Sequence, residues 1–159
     1  MGADHQAAAI CYRRRGRLIE FLVVRTSSGK WTFPKGQIDP EMGSRKCAQL
    51  EALEEAGVYG LIDERPFLVY LYPKGVFWKP RSLQELKVAA YLLEVTHEAD
   101  TAEKFRQPTW CSPQNAKKLL SQQREQKYKA EIDRLIDSAL QAIKVAGNGN
   151  SPLRKTRLQ

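Results

Sequence analysis

Three carboxylates, Glu51, Glu54 and Glu55, fall within a single turn of an expected helix in the stretch GQIDPEMGSRKCAQLEALEEAGV, residues 36–58. Residues three or four apart share one face of a helix, so these side chains are neighbours. Like charges packed so closely cost stability unless something neutralises them. For a purely oxygen donor set the natural neutraliser is a hard divalent cation, Mg²⁺ in the first place and Mn²⁺ as the alternative. An ordinary amphipathic helix with a solvated acidic face would explain the charges, but not the glycines that bracket them, Gly36 and Gly57.

The flanking residues predict how such a helix is held. Trp31, Thr32 and Phe33 form an apolar, aromatic lead-in that meets Pro34, Lys35 and Gly36, in the order strand, tight turn, helix. The helix is expected to begin near Gly43 or Ser44, with Ser44 as its N-cap, and to end at Gly57 in the left-handed C-cap position. Ala48, Ala52 and Ala56 repeat every four residues. Such small side chains would let the helix approach a sheet closely and turn the glutamates outward.

This stretch resembles the Nudix box, the signature of the Nudix hydrolases. Gly36, Glu51, Glu54, Glu55, Gly57 and Val58 match at the right separations, and Ala52 is the small apolar residue. Two positions depart from the pattern: Met42 stands where the box has its first Glu and Leu50 where it has an Arg. Glu41 beside Met42 and Lys46 one turn before Leu50 are the nearest substitutes in sequence. The resemblance implies an α/β/α sandwich with a mixed sheet, reached over roughly residues 7–120.

The rest of the chain is consistent with an α/β protein. AAAICY within 6–13 and LIEFLVVR within 18–25 read as a hairpin of buried strands about the turn at Arg13 to Gly16. Residues 58–63, 67–72 and 86–96 read as further strands, with Pro73, Lys74 and Gly75 a turn and the last strand apolar enough to lie centrally. A polar loop over 97–107 leads to a short strand at Thr109 to Cys111, and then to a helix with Ser112 at its N-cap and Pro113 in its first turn. Ile132, Leu135, Ile136, Leu140 and Ile143 give residues 128–145 the spacing of an amphipathic helix. The expected organisation is one domain, residues 1–146, followed by a disordered basic tail, 147–159.

Composition narrows the function classes. The chain has 159 residues, enough for one well-buried core, and no apolar run of membrane-spanning length. With no secretory pattern at the N-terminus, the expected location is cytoplasmic. Cys11, Cys47 and Cys111 are odd in number, far apart and without metal-ligand spacing, so buried reduced thiols are expected. A net charge of +8 favours polyanionic partners.

The resemblance implies hydrolysis of a phosphoanhydride in a nucleoside diphosphate linked to another group. It gives Glu51, Glu55 and the Gly36 carbonyl as metal ligands, and Glu54 with Glu51 as the catalytic carboxylates. The general base varies across the family, and Glu98 and Glu103 lie where a loop base would be found. Lys35 and Arg25 suit phosphate contacts; Lys79 and Arg81, with Trp78 among them, suit a clamp with a stacking surface. The phosphate-rich substrates in view are dinucleoside polyphosphates and diphosphoinositol polyphosphates, with an RNA 5′ end as a third. A Nudix-fold protein that binds a phosphorylated ligand or RNA without cleaving it is the alternative, because of Met42 and Leu50.

Overall fold

The computed structural model describes residues 5–74, 84–147 and 155–157. At its centre two long strands run parallel, β1 (His5–Arg15) and β7 (Gln84–Glu98), paired from His5 opposite Lys87 to Tyr12 opposite Glu94. The run Ala7 to Tyr12 is fully buried. Its continuous apolar character follows from that position, since a central strand covered on both faces has no side to leave polar.

Each central strand divides its outer edge between two antiparallel partners. Along β1 these are β4 (Lys35–Gln37) and β2 (Leu18–Arg25); along β7 they are β6 (Leu68–Lys74) and β5 (Val58–Asp63). β2 in turn pairs with β3 (Trp31–Thr32) and β8 (Thr109–Cys111). The expected hairpin and the short strand at Thr109 to Cys111 are therefore present. Pro73 and Lys74, read as a turn, instead extend β6, where they pair with Glu85 and Gln84.

The alternation of side chains on β1 sorts the core into two halves. Ala7, Ala9 and Cys11 face Ala48, Ala52 and Ala56 of the acidic helix; Ala8, Ile10 and Tyr12 face the opposite side. There α2 (Pro113–Ser121) and α3 (Gln126–Gly147) bury Ala116, Leu120, Ile132, Leu135, Ile136 and Ile143. Helices thus cover both faces of a mixed sheet, the α/β/α sandwich expected. Ser112 caps α2 by accepting from the Asn115 N–H at 3.2 Å, with Pro113 in the first turn.

Within the 147–159 segment, Lys155–Arg157 pairs antiparallel with β5; residues 148–154 and 158–159 lie outside the described residues. All three cysteines are buried and free. Among the described residues no helix is long and apolar enough to cross a membrane.

Candidate active site

The turn that leads into the acidic helix moves the chain from one strand's edge to another's. Trp31–Thr32 pairs with the end of β2, and Lys35–Gln37 pairs with the start of β1. Pro34, which has no N–H to offer a ladder, sits at the crossing, and its carbonyl accepts from Ala9 N–H at 2.9 Å. This places Lys35 and Gly36 beside the helix.

The helix itself differs from expectation at its start and in its second half. α1 (Ser44–Glu51) is preceded by Gly43, which occupies the cap position without a side-chain bond. Ser44 is already helical, and its hydroxyl bonds to the Tyr91 hydroxyl on β7 instead of capping. From Ala52 to Ala56 the helix widens into a π turn before ending at Gly57, which is left-handed at φ 70° as expected. Such wide turns recur at functional sites because they re-aim side chains. Here Ala52, Glu55 and Ala56 point inward, while Leu53 and Glu54 are exposed.

Glu51 and Glu55 are brought side by side, with their carboxyls in hydrogen-bonding relation. Glu55 is buried, its Oε1 accepting from the Lys35 N–H at 3.2 Å and its Oε2 meeting Arg106 Nη2 at 3.2 Å. Burial pushes its carboxyl up to about 7; Arg106 opposes that rise, and the adjacent Glu51 adds to it. Glu51 is raised as well, by burial first and by the charges of Glu54 and Glu103. Gly36 leaves room for Glu51: a Cβ at that position would overlap the Glu51 carboxylate.

Among the described residues no set of three His, Cys, Asp or Glu side chains is arranged around a single point. The donor set nevertheless suits a hard cation. Two adjacent, water-poor carboxylates repel each other, and the backbone of Gly36 lies against them with no side chain to intervene. Glu54 is exposed, its charge still felt at Glu51.

Of the two loop candidates, Glu103 joins this centre through Arg106, whose Nε donates to Glu103 Oε1 at 2.9 Å. Glu98 is held elsewhere, accepting from Trp110 Nε1 at 3.0 Å. It lines an open cleft of about 400 Å³ with Ala56, Asp100, Thr101 and Lys104. Neither nearby substitute for the box's missing residues reaches the pair: Glu41 and Lys46 are exposed, as are Met42 and Leu50. The cation that meets Glu55 comes from Arg106, in a short 3₁₀ turn (Lys104–Arg106), and no local spacing pointed to it.

Two of the expected phosphate contacts have definite partners. The Arg25 guanidinium donates to Gly29 O and Gln107 Oε1, both at 2.8 Å, and lies over the Trp31 ring. Lys35 sends its ammonium away from the carboxylates, 3.9 Å from the centre of the Tyr72 ring. Arg124 closes on the same group, its guanidinium 5.1 Å from the Tyr72 ring and 5.0 Å from that of Tyr128. Burial disfavours ionisation of Tyr72, but Lys35 and Arg124 together outweigh it and hold the phenol below its usual range. Burial pushes Lys35 down. Sequence spacing gave no sign of this cluster, whose members come from β4, β6, the link after α2 and α3. Lys79, Arg81 and Trp78 lie outside the described residues.

A mixed sheet between helices, with a glutamate-bearing helix closed against a glycine turn, defines an α/β/α hydrolase-type scaffold. The family model of the NUDIX domain matches residues 4–132, and the chain belongs to that family. Nudix proteins are pyrophosphohydrolases that use a divalent metal, and the class of this chain is accordingly that of a hydrolase. Solved structures agree on the fold. The C. elegans Ap4A hydrolase is 22% identical, with 87% of this chain and 98% of that chain covered and a TM-score of 0.63. A Nudix-family hydrolase from Clostridium perfringens is 12% identical over 89% of this chain and 99% of that chain, TM-score 0.63. The E. coli dihydroneopterin triphosphate pyrophosphohydrolase is 14% identical over 86% of this chain and 97% of that chain, TM-score 0.61.

Proposed function

We propose that the protein is a Mg²⁺-dependent pyrophosphohydrolase acting on a small, phosphate-rich substrate of the nucleoside diphosphate-X type, a dinucleoside polyphosphate or a diphosphoinositol polyphosphate. The observation that carries this reading is the adjacent pair of half-buried Glu51 and buried Glu55 against the bare backbone of Gly36. Those three groups would hold the cation. When bound, it would neutralise phosphate oxygens and lower the pKa of an attacking water. Glu54, exposed beside the pair, would orient that water or take its proton, and Glu103 is a further carboxylate joined to the pair through Arg106.

Substrate contacts divide between charge and stacking. Lys35, whose ammonium rests on the Tyr72 ring on the α3 side of the sheet, would meet phosphate oxygens as a point charge by swinging off that ring. Of the two substrates we favour the dinucleoside polyphosphate. What supports that choice is the likeness to the C. elegans structure named as an Ap4A hydrolase. Lys79, Arg81, Trp78 and Arg25 complete the proposed substrate-binding set.

The test is to incubate the protein with Mg²⁺, and separately with a chelator, on a panel of dinucleoside polyphosphates, diphosphoinositol phosphates, sugar nucleotides and triphosphorylated RNA, following phosphate or nucleotide release. Metal-dependent release from a dinucleoside polyphosphate is expected. Glu55→Gln should lower that turnover by about 10²-fold or more, the scale of losing one preorganised electrostatic group, with metal-free ligand binding unchanged. The exposure of Met42 and Leu50, which leaves two box positions outside the site, favours one competing reading: a protein that binds without cleaving. Tight binding to one panel member, with no release from any, would establish that reading instead.

A further inference from the structure

All three nitrogens of the Arg106 guanidinium are engaged, each by a different part of the fold. Nε donates to Glu103 Oε1 at 2.9 Å, Nη1 to the Arg25 carbonyl at 3.1 Å, and Nη2 meets Glu55 Oε2 at 3.2 Å. The side chain is 17% exposed, so these bonds are only weakly shared with water. The loop that carries it is tied down at both ends. At its base Ala99 N–H donates to Gly57 O at 2.7 Å, and Thr101 Oγ1 to Glu54 O at 2.7 Å. At its far end Gln107, left-handed at φ 45°, accepts from Arg25 Nε. A non-glycine residue keeps that backbone conformation only where its surroundings enforce it.

We propose that Arg106 is a positioning residue for the carboxylate centre, holding Glu55 from the side opposite Lys35 so that the carboxylate stays aligned with Glu51 as a cation-binding pair. The inference rests on the metal-dependent reading above. Its physical basis is geometric. Glu55 Oε1 is fixed by the Lys35 N–H and Oε2 by Arg106, so the carboxylate plane cannot rotate away from Glu51. A planar fork suits such a role, because one guanidinium can join β2, the loop carboxylate and the helix carboxylate at once, whereas an ammonium is a point charge without fixed directions. Leu50, exposed on the helix, makes no such link.

A mere counter-ion would behave differently. Removing a positive charge beside a cation site strengthens cation binding by Coulomb's law. Removing a positioning group weakens it. Titration of wild type, Arg106→Gln, Arg106→Lys and Glu55→Gln with Mn²⁺, followed by electron paramagnetic resonance without substrate, separates the two. Circular dichroism melts would establish that each variant is folded. The expected result is a dissociation constant raised about tenfold in Arg106→Gln, as for loss of a group that orients a ligand. Arg106→Lys should fall between it and wild type.

Affinity unchanged or tightened in Arg106→Gln overturns the inference and leaves the metal-dependent reading intact. Wild type that binds no Mn²⁺, or binds it equally well as Glu55→Gln, overturns that reading and the inference with it. Should Arg106→Gln not fold, Arg106→Lys decides: it keeps the charge and loses the fork, so affinity equal to wild type would overturn the proposal.

Discussion

Burial governs how Glu55 behaves when no cation is bound. Its carboxyl titrates near 7 in the folded protein, against 4.5 as the ordinary value, because burial and the neighbouring Glu51 outweigh Arg106. Between those two values the native state holds a proton that the unfolded chain has already released, so stability falls as pH rises through the window. The metal-free protein, melted in chelator, should therefore have a higher Tm at pH 5.5 than at pH 8. Glu55→Gln should flatten that slope, and so should saturating Mg²⁺, which favours the ionised carboxylate. A Tm that rises with pH equally in wild type and Glu55→Gln would contradict the assignment.

Among the elements, the end of the acidic helix has a tight backbone geometry. Gly57 is left-handed, donates its N–H to Leu53 O at 3.0 Å, and lies so close to the Ala99 carbonyl that a Cβ would overlap it. Gly57→Ala combines the left-handed penalty of about 1–2 kcal/mol with a backbone collision that only movement of the 99–108 loop can relieve. Denaturant unfolding should show a loss of about 2 kcal/mol or more. Activity should fall further than stability explains, because that loop carries Glu103 and Arg106.

The edge strand β6 shows a second use of helix side chains. Leu71 N–H donates to Glu131 Oε1 at 3.1 Å, and Val69 O accepts from Arg134 Nη2 at 3.3 Å, so α3 satisfies backbone groups that the ladder leaves open. The same helix thus seals an edge and supplies an apolar face.

At the scale of the whole molecule, stability and chemistry are held on opposite faces of the sheet. The larger core lies between the sheet and α2–α3, with Leu135 fully buried at its centre. Leu135→Ala should cost about 2–5 kcal/mol in denaturant unfolding. Because the acidic helix packs on the other face, metal affinity of the folded variant should stay close to that of wild type. A large loss of Mn²⁺ affinity in folded Leu135→Ala would show that the two faces are coupled.

Local pattern was enough for much of this protein. The continuous apolar run of β1, the four-residue alanine repeat, the Gly57 terminus and the Ser112 cap each depend on residues a few positions apart, where spacing translates directly into a shared face or a capped end. The choice between Ser44 and Gly43 as cap goes with the Ser44 bond to Tyr91 on β7, which spacing cannot express, and neither does spacing express the widening into a π turn at Ala52. Lys46 and Glu41 are the substitutes that chain order suggests for the departures at Met42 and Leu50, yet both are exposed and neither reaches the carboxylates. Arg106 does, because β8 pairs with β2 and the loop before it returns the guanidinium to the end of β2, against Glu55. Likewise Lys35, Tyr72, Arg124 and Tyr128 meet only because β4 and β6 lie beside the central strands, beneath α3. Spacing along the chain marked the carboxylates proposed as cation ligands; the sheet's long-range pairings decided which charges surround them, since Coulombic and hydrogen-bonding partners are chosen by distance in space.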